Sequence, residues 1–162
     1  MNMRITVKQL VRGAIIAALY ATLTLFTAPI SFGSIQFRVS EVLTVLPFIM
    51  PEAVFGLTIG CLISNMLMSN VIDIIFGTLA TFLAAFVTSK VRKMWLAPLP
   101  AVIFNGVIVG LVVTLMSVEF TWHSYLLIAL SISVSELIIC YAGGIPLLVM
   151  LNSLASKYSF FK

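Results

Sequence analysis

Long uninterrupted apolar runs dominate this chain of 162 residues and restrict its fold more than any other feature. The residues are 62% hydrophobic and only 9% charged, well outside the range of a globular domain. Lipid offers the backbone no hydrogen-bond partner, and the runs do not alternate as barrel strands do. We therefore predict an all-α integral membrane protein. Runs near or above the ~20 residues of a spanning helix cover roughly 9–30, 53–69, 71–89, 97–118 and 124–151.

A sixth and shorter apolar segment covers residues 39–50. At ~1.5 Å per residue it falls short of a ~30 Å hydrocarbon core, and Pro47 and Pro51 would bend or end a helix there. The positive charges nevertheless favour a crossing, because only six crossings place all three basic clusters on the cytoplasmic side. These clusters are Arg4, Lys8 and Arg12; Lys90, Arg92 and Lys93; and Lys157 and Lys162.

We therefore predict a single domain of six transmembrane helices over residues 1–162, with a short second helix and both termini in the cytoplasm. The first run is too long for the apolar region of a signal peptide and is kept as a helix. The net charge of +4 then reflects topology and not a nucleic-acid partner. The predicted helices cover roughly 9–30, 37–50, 52–69, 71–89, 98–118 and 124–154.

Ionisable groups within apolar runs are candidates for function because their burial in lipid is costly. Glu136 lies about 18 Å into the last helix, near the middle of the membrane, and Asn105 has a similar depth, so we expect the two side chains to meet. A purely structural hydrogen bond is the alternative for Glu136. Arg38 and Glu41 stand three residues apart at the outer start of the second helix and can pair with each other.

The remaining acidic residues have simpler interpretations beside the functional one. Asn70 and Asp73 have the spacing of a helix N-cap and its third residue, so Asp73 is either a cap or a ligand group. Glu119 fits an outer interfacial loop. Glu52 follows a proline and fits the first turn of a helix, and we assign it no function.

Small residues recur at helical spacing and predict close helix contacts. In the first helix they form a candidate face for docking another membrane protein, whereas Gly56, Gly60, Gly106 and Gly110 fit packing within the bundle. The candidate docking residues are Gly13, Ala14, Ala17, Ala18 and Ala21.

Known catalytic patterns are missing from the sequence. It contains no G-x-x-x-x-G-K-[ST], no H-E-x-x-H and no set of nucleophile and base. Cys61 and Cys140 lie within apolar runs and fit small buried side chains. We therefore expect no enzyme, cofactor or metal site, and we predict a substrate-binding membrane subunit that a partner drives.

Four stretches resemble the substrate-binding (S) subunits of energy-coupling factor (ECF) transporters, specifically the queuosine-precursor family QueT. They are IQFRVSEVLTVLPF (35–48), PEAVFGLTIGCLISN (51–65), DIIFGTLATFLAA (73–85) and SELIICYAGGIPL (135–147). The resemblance implies a six-helix subunit in a prokaryotic cell membrane that captures its substrate from outside. It also implies docking through helix one on the membrane subunit EcfT, which couples to two ATPases.

The implied cargo is a 7-deazaguanine base such as 7-aminomethyl-7-deazaguanine (preQ1). Glu41 or Glu136 can accept from its N1–H and 2-amino group, and Arg38 can donate to O6 or hold Glu41. Asp73 or Glu136 would match the ammonium group, with Asn70 and Asn105 as polar neighbours. Candidate aromatic partners of the flat base are Phe32, Phe37, Phe76, Trp122 and Tyr125.

Two other functions remain open on the sequence alone. An S subunit for thiamine or riboflavin would have the same architecture. A small proton-coupled homo-oligomeric exporter would use Glu136 as its coupling carboxylate and the glycine faces to join subunits. An intramembrane enzyme comes last, since nothing pairs a nucleophile with a base.

Overall fold

The computed structural model describes residues 6–31, 37–117 and 120–158, with side chains up to residue 154. Within these ranges the chain forms helices and turns, which confirms the all-α prediction. Helix α1 is Val7–Phe26, followed by the short turn of helix Ala28–Ser31. The 3₁₀ helix α2 is Val39–Phe48, α3 is Ala53–Met68 and α4 is Val71–Thr88.

The last two helices each contain a π-helical turn. After the 3₁₀ turn Met94–Leu96, helix α5 consists of Leu99–Phe104, the π turn Asn105–Val109 and Gly110–Met116. Helix α6 consists of Trp122–Ile139, the π turn Cys140–Gly144 and Ile145–Tyr158. The sequence did not predict the π turns.

Four helical segments of the described chain are long and apolar enough to cross a membrane. They are Val7–Phe26, Val71–Thr88, Met94–Met116 and Trp122–Leu154. Helix α3, expected among the full-length runs, has 16 residues and a length of about 24 Å. A multi-pass membrane protein is thus supported, while the count of six crossings and the orientation of the termini stay predictions.

Helix α2 lies inside the bundle. Its residues from Ser40 to Pro47 are all buried except Val42, and Leu43 and Leu46 pack in one cluster with residues of α1, α3 and α4. Because α2 is surrounded by protein, its short length and its 3₁₀ geometry do not expose unpaired backbone groups to lipid. This buried position brings Arg38 and Glu41 into the centre of the polar site.

Small residues let the surrounding helices approach closely. A Cβ atom on Gly56 of α3 would lie 2.5 Å from the carbonyl oxygen of Gly13, and one on Gly60 would lie 2.7 Å from that of Ala17. A Cβ on Gly110 of α5 would lie 2.9 Å from the Cα of Ala129. The glycines of α3 and α5 therefore pack inside the bundle, as expected.

The Glu52 side chain makes an ion pair instead of a helix cap. Glu52 precedes α3 at the N-cap position, where its side chain makes no capping hydrogen bond. Its Oε1 lies 3.2 Å from Nη1 of Arg12, with both side chains partly exposed. Such a pair contributes little to stability, and it lies apart from the candidate site.

Candidate functional site

Arg38 and Asp73 form a buried ion pair between α2 and α4. Nη2 of Arg38 lies 3.2 Å from Oδ2 of Asp73, and both residues are at most 4% exposed. Asp73 belongs to the first turn of α4, where the side chain of Asn70 accepts from its backbone N–H at 3.0 Å. The N-cap prediction for Asn70 is thus confirmed, and the helix dipole favours a carboxylate at this position. The hydroxyl of Ser69 donates to the same Oδ2 at 2.5 Å.

Glu41 is held by α1. The Tyr20 hydroxyl donates to Oε1 of Glu41 at 2.5 Å, and both residues are buried. One turn further along α1, Thr24 donates to Ser40 at 2.6 Å. These two bonds fix the start of α2 against α1 and orient the carboxylate of Glu41.

Glu136 meets Asn105 as predicted. Nδ2 of Asn105 donates to Oε1 of Glu136 at 3.1 Å. The Cys140 thiol lies 3.5 Å from Oε2 of Glu136 and 3.4 Å from the backbone oxygen of Glu41. Asn105 and Cys140 are the first residues of the two π turns, and such turns often occur at functional sites.

Two cavities adjoin these side chains. The smaller, of about 10 Å³, has room for about one water molecule. The larger, of about 230 Å³, is bounded by the ends of α3, α4 and α5. Arg38 lines the smaller cavity and Asp73 the larger, so their ion pair lies between the two. The smaller is lined by Arg38, Asn105, Val109, Ile132 and Glu136, the larger by Met68, Ser69, Asn70, Asp73, Val112, Val113 and Met116.

Three buried oxygen atoms at the site accept no hydrogen bond within the part of the chain that the structure describes. They are Oε2 of Glu41, Oδ1 of Asp73 and Oδ1 of Asn65. A buried acceptor without a donor costs about 1–3 kcal/mol. A ligand rich in N–H groups would satisfy these acceptors, whereas an anionic ligand would not.

The predicted aromatic residues that the structure describes do not line either cavity. Trp122 is 73% exposed and meets Phe120 and Tyr125 edge to face, with ring centroids 5.6 and 6.3 Å away. Phe37 is half-buried, and its N–H donates to the carbonyl of Ile30 at 3.0 Å. Phe76 is 45% exposed on α4. Phe32, Glu119 and the segment 32–36 lie outside the described residues.

The small residues of α1 divide between two faces. Gly13 and Ala17 lie toward α3 and make the close backbone contacts described above, and Ala21, one turn further along, is buried. Ala14 and Ala18 are exposed on the other face.

Some site residues were not identified from the sequence. Tyr20 is one of several aromatic residues in apolar runs, and Asn65 was not separated from the other polar residues near helix ends. Nδ2 of Asn65 lies 3.3 Å from the backbone oxygen of Asp73. An amide within an apolar run is a detectable signal, whereas the role of Tyr20 depends on the position of α2.

Comparison with known proteins identifies the family of the chain. The model of the QueT transporter family matches residues 10–153. A segment of 70 residues is 47% identical to the queuosine precursor transporter QueT of Lactococcus lactis subsp. cremoris (strain MG1363). That match covers 42% of this chain and 41% of the relative, and no solved structure matches the chain.

These matches agree with the resemblance seen in the four sequence stretches. Both names describe transporters, which confirms the expectation of a transporter and not an enzyme. The apolar helices agree with a multi-pass membrane protein. Since the family model covers nearly the whole length, the chain belongs to the QueT transporter family.

Proposed function

We propose that this protein is the substrate-capture subunit of an ECF-type importer and binds a queuosine precursor, a 7-deazaguanine base such as preQ1, from the outer side. The observation that carries the proposal is the buried cluster of Arg38, Glu41, Asp73 and Glu136. Ionisable groups at such positions in a membrane protein are costly, and they mark substrate sites, ion pathways or proton relays.

The cluster is complementary to the base. The N1–H and 2-amino group of a guanine-like edge are adjacent donors, which a carboxylate accepts with its two oxygens. Glu41 is suited to this role because Tyr20 orients one of its oxygens and the other, Oε2, is buried without a donor among the described residues. Arg38, already directed by Asp73, would donate to O6, and the smaller cavity between Arg38 and Glu136 would open to admit the ring.

Delivery to the cytoplasm requires partners in this proposal. The sequence contains no G-x-x-x-x-G-K-[ST] motif, and in this proposal EcfT and two ATPases supply the energy. Within the predicted docking face, Ala14 and Ala18 are the exposed members, next to the exposed apolar side chains of Ile15 and Leu19. These residues are the preferred contact for EcfT, and Gly13, Ala17 and Ala21 would support them from behind.

The topology belongs to the same proposal. Six helices of a single domain, 1–162, would cross the cell membrane of a prokaryote, with both termini in the cytoplasm. Helix α2 would cross inside the bundle, shielded from lipid by its neighbours. The larger cavity at Asp73 would then lie at the outer side, between the solvent and the Arg38–Asp73 pair.

Calorimetric titration of the purified protein in detergent, without ATPases, tests the proposal. We expect 1:1 binding of preQ1 and none of thiamine or riboflavin. Glu41→Gln and Glu136→Gln should each weaken binding at least tenfold, since a lost charged hydrogen bond costs about 1.5–3 kcal/mol. Glu52→Gln is the matched control, because Glu52 pairs with Arg12 away from the cluster.

The other results would contradict specific parts of the proposal. Binding of thiamine or riboflavin, without binding of preQ1, would agree with an S subunit for a vitamin and contradict a 7-deazaguanine base as the substrate. If none of the three ligands gives a binding heat, the subunit does not capture its substrate on its own, and a proton-coupled exporter is favoured. Equal losses in all three variants, including Glu52→Gln, would mean that the cluster is not the site.

A further inference from the structure

The charges of the buried cluster do not balance. Arg38 carries one positive charge, whereas Glu41, Asp73 and Glu136 would together carry three negative charges when ionised. All four residues are at most 4% exposed. Two uncompensated negative charges among buried groups are costly, and buried groups under such conditions become neutral by taking up protons.

Asp73 is the carboxylate that forms the ion pair with Arg38. Its Oδ2 lies 3.2 Å from Nη2 of Arg38 and accepts a hydrogen bond from the Ser69 hydroxyl, and the residue lies in the first turn of α4. By contrast, Glu41 accepts from a phenol and Glu136 from an amide, both neutral donors. The excess negative charge therefore falls on the two glutamates.

The two glutamates lie near each other across α2 and α6. The thiol of Cys140 lies 3.4 Å from the backbone oxygen of Glu41 and 3.5 Å from the carboxylate of Glu136. The neighbouring helices α1, α2, α3, α4 and α6 each place a titratable or charged group near the two glutamates, whereas α5 contributes the neutral amide of Asn105. These groups are Tyr20 of α1, Arg38 at the start of α2, Cys61 of α3, Asp73 of α4 and Cys140 of α6.

We propose that Glu136, with Glu41 beside it, forms a cation-binding subsite that holds a proton in the empty protein and exchanges it for the charged amine of the ligand. The phenol and the thiols are neutral near pH 7, so they do not alter the charge balance. This inference rests on the proposed function in one respect, namely that the ligand is a base with an aminomethyl group.

The exchange conserves charge within the site. The O–H bond of one carboxylic acid breaks, its proton leaves to bulk water, and the ammonium group takes its place beside the new carboxylate. The buried cluster therefore has the same net charge of −1 before and after binding, instead of the −2 that it would carry with all three carboxylates ionised and no cation bound. A neutral analogue offers no charge to replace the proton and leaves it in place.

Proton release during titration tests the inference. Binding heats of preQ1 are measured at pH 7 in phosphate, HEPES and Tris buffers, whose different ionisation enthalpies reveal the number of protons released. We expect about one proton per bound preQ1, and none for the nitrile analogue, 7-cyano-7-deazaguanine. The affinity for preQ1 should rise up to about tenfold per pH unit while the amine remains charged, and that for the nitrile should not.

Two variants assign the proton to its site. Glu136→Gln should release less than half of the wild-type amount, whereas Glu52→Gln should release the full amount. Infrared spectroscopy of the empty protein provides a second measurement, since a protonated carboxyl gives its own carbonyl band, which Glu136→Gln should weaken.

The failures of the two proposals are distinguishable. Binding of preQ1 with no proton release, or with uptake, would overturn the exchange and leave the capture function intact. An infrared spectrum of the empty wild-type protein without a carboxylic acid band would do the same. No binding of either base would overturn the capture function and the exchange together.

Discussion

Tyr20 connects the first helix to the candidate site through a single hydroxyl group. Its side chain is fully buried, and its oxygen lies 2.5 Å from Oε1 of Glu41. The other oxygen of Glu41 already has no donor within the described residues. The orientation of this carboxylate therefore depends strongly on Tyr20.

Removal of this hydroxyl should destabilise the protein. In Tyr20→Phe the buried carboxylate loses its donor, at a cost of about 1–3 kcal/mol. We expect a lower midpoint of thermal unfolding in detergent and weaker binding of preQ1. Tyr141→Phe is the control, because the Tyr141 hydroxyl donates to the backbone oxygen of Trp95 at 2.9 Å in an exposed setting. Equal midpoints for the two variants would show that the Tyr20 hydroxyl has no special role.

The ionisable members of the site could be identified from the sequence, but their pairing could not. A charged group within an apolar run is conspicuous, and the meeting of Asn105 with Glu136 follows from their equal depth. For Arg38 the sequence offered a pair with Glu41 as one possibility, whereas the structure places Nη2 of Arg38 3.2 Å from Oδ2 of Asp73 on α4. Such a choice depends on how α2 and α4 pack, which no local spacing specifies.

Helices α1 and α3 pack with their backbones in contact along a line of small residues. Gly56 makes this contact possible, since a Cβ there would lie 2.5 Å from a backbone oxygen that cannot move aside. Gly13, on the facing helix, has more room, and a Cβ on it would lie 3.8 Å from the nearest atom across the interface, the backbone oxygen of Glu52. The interface thus tolerates a methyl group on α1 and not on α3.

Two alanine substitutions should therefore act in opposite directions. Gly56→Ala should cost about 1–3 kcal/mol through overpacking. Gly13→Ala should be neutral or stabilise the protein by up to about 1 kcal/mol, because alanine favours the helix. Thermal unfolding of both variants in the same detergent checks the difference. A loss of stability in Gly13→Ala as large as that in Gly56→Ala would contradict this difference in space between the two helices.

The helices could be located from the sequence more accurately than their local geometry. Apolar length and the prolines indicated a short second helix, and the structure has one at Val39–Phe48. Its 3₁₀ form and the π turns beginning at Asn105 and Cys140 went unpredicted. These irregularities change the helix by a fraction of a turn, and the spacing of apolar residues does not reveal so small a change.

The number of membrane crossings depends on helix α2. Four helical segments of the described chain can span a membrane by length alone, and Val39–Phe48 and Ala53–Met68 are shorter. With α1, α3 and α4 crossing as predicted, Lys8 and Lys93 lie on the same side of the membrane if α2 also crosses. If it does not, the parity changes and the two residues face opposite sides.

Cysteine labelling in intact cells decides between these arrangements. Lys8, Lys93 and His123 are exposed, whereas the native Cys61 and Cys140 are fully buried and should not react with the reagent. A membrane-impermeant thiol reagent should label His123→Cys, and it should label Lys8→Cys and Lys93→Cys only after the cells are opened. With α3 crossing as predicted, labelling of just one of the two lysine positions in intact cells would mean that α2 does not cross. In that case Glu41 would reach the site from a re-entrant segment, and the basic clusters would no longer share the cytoplasmic side.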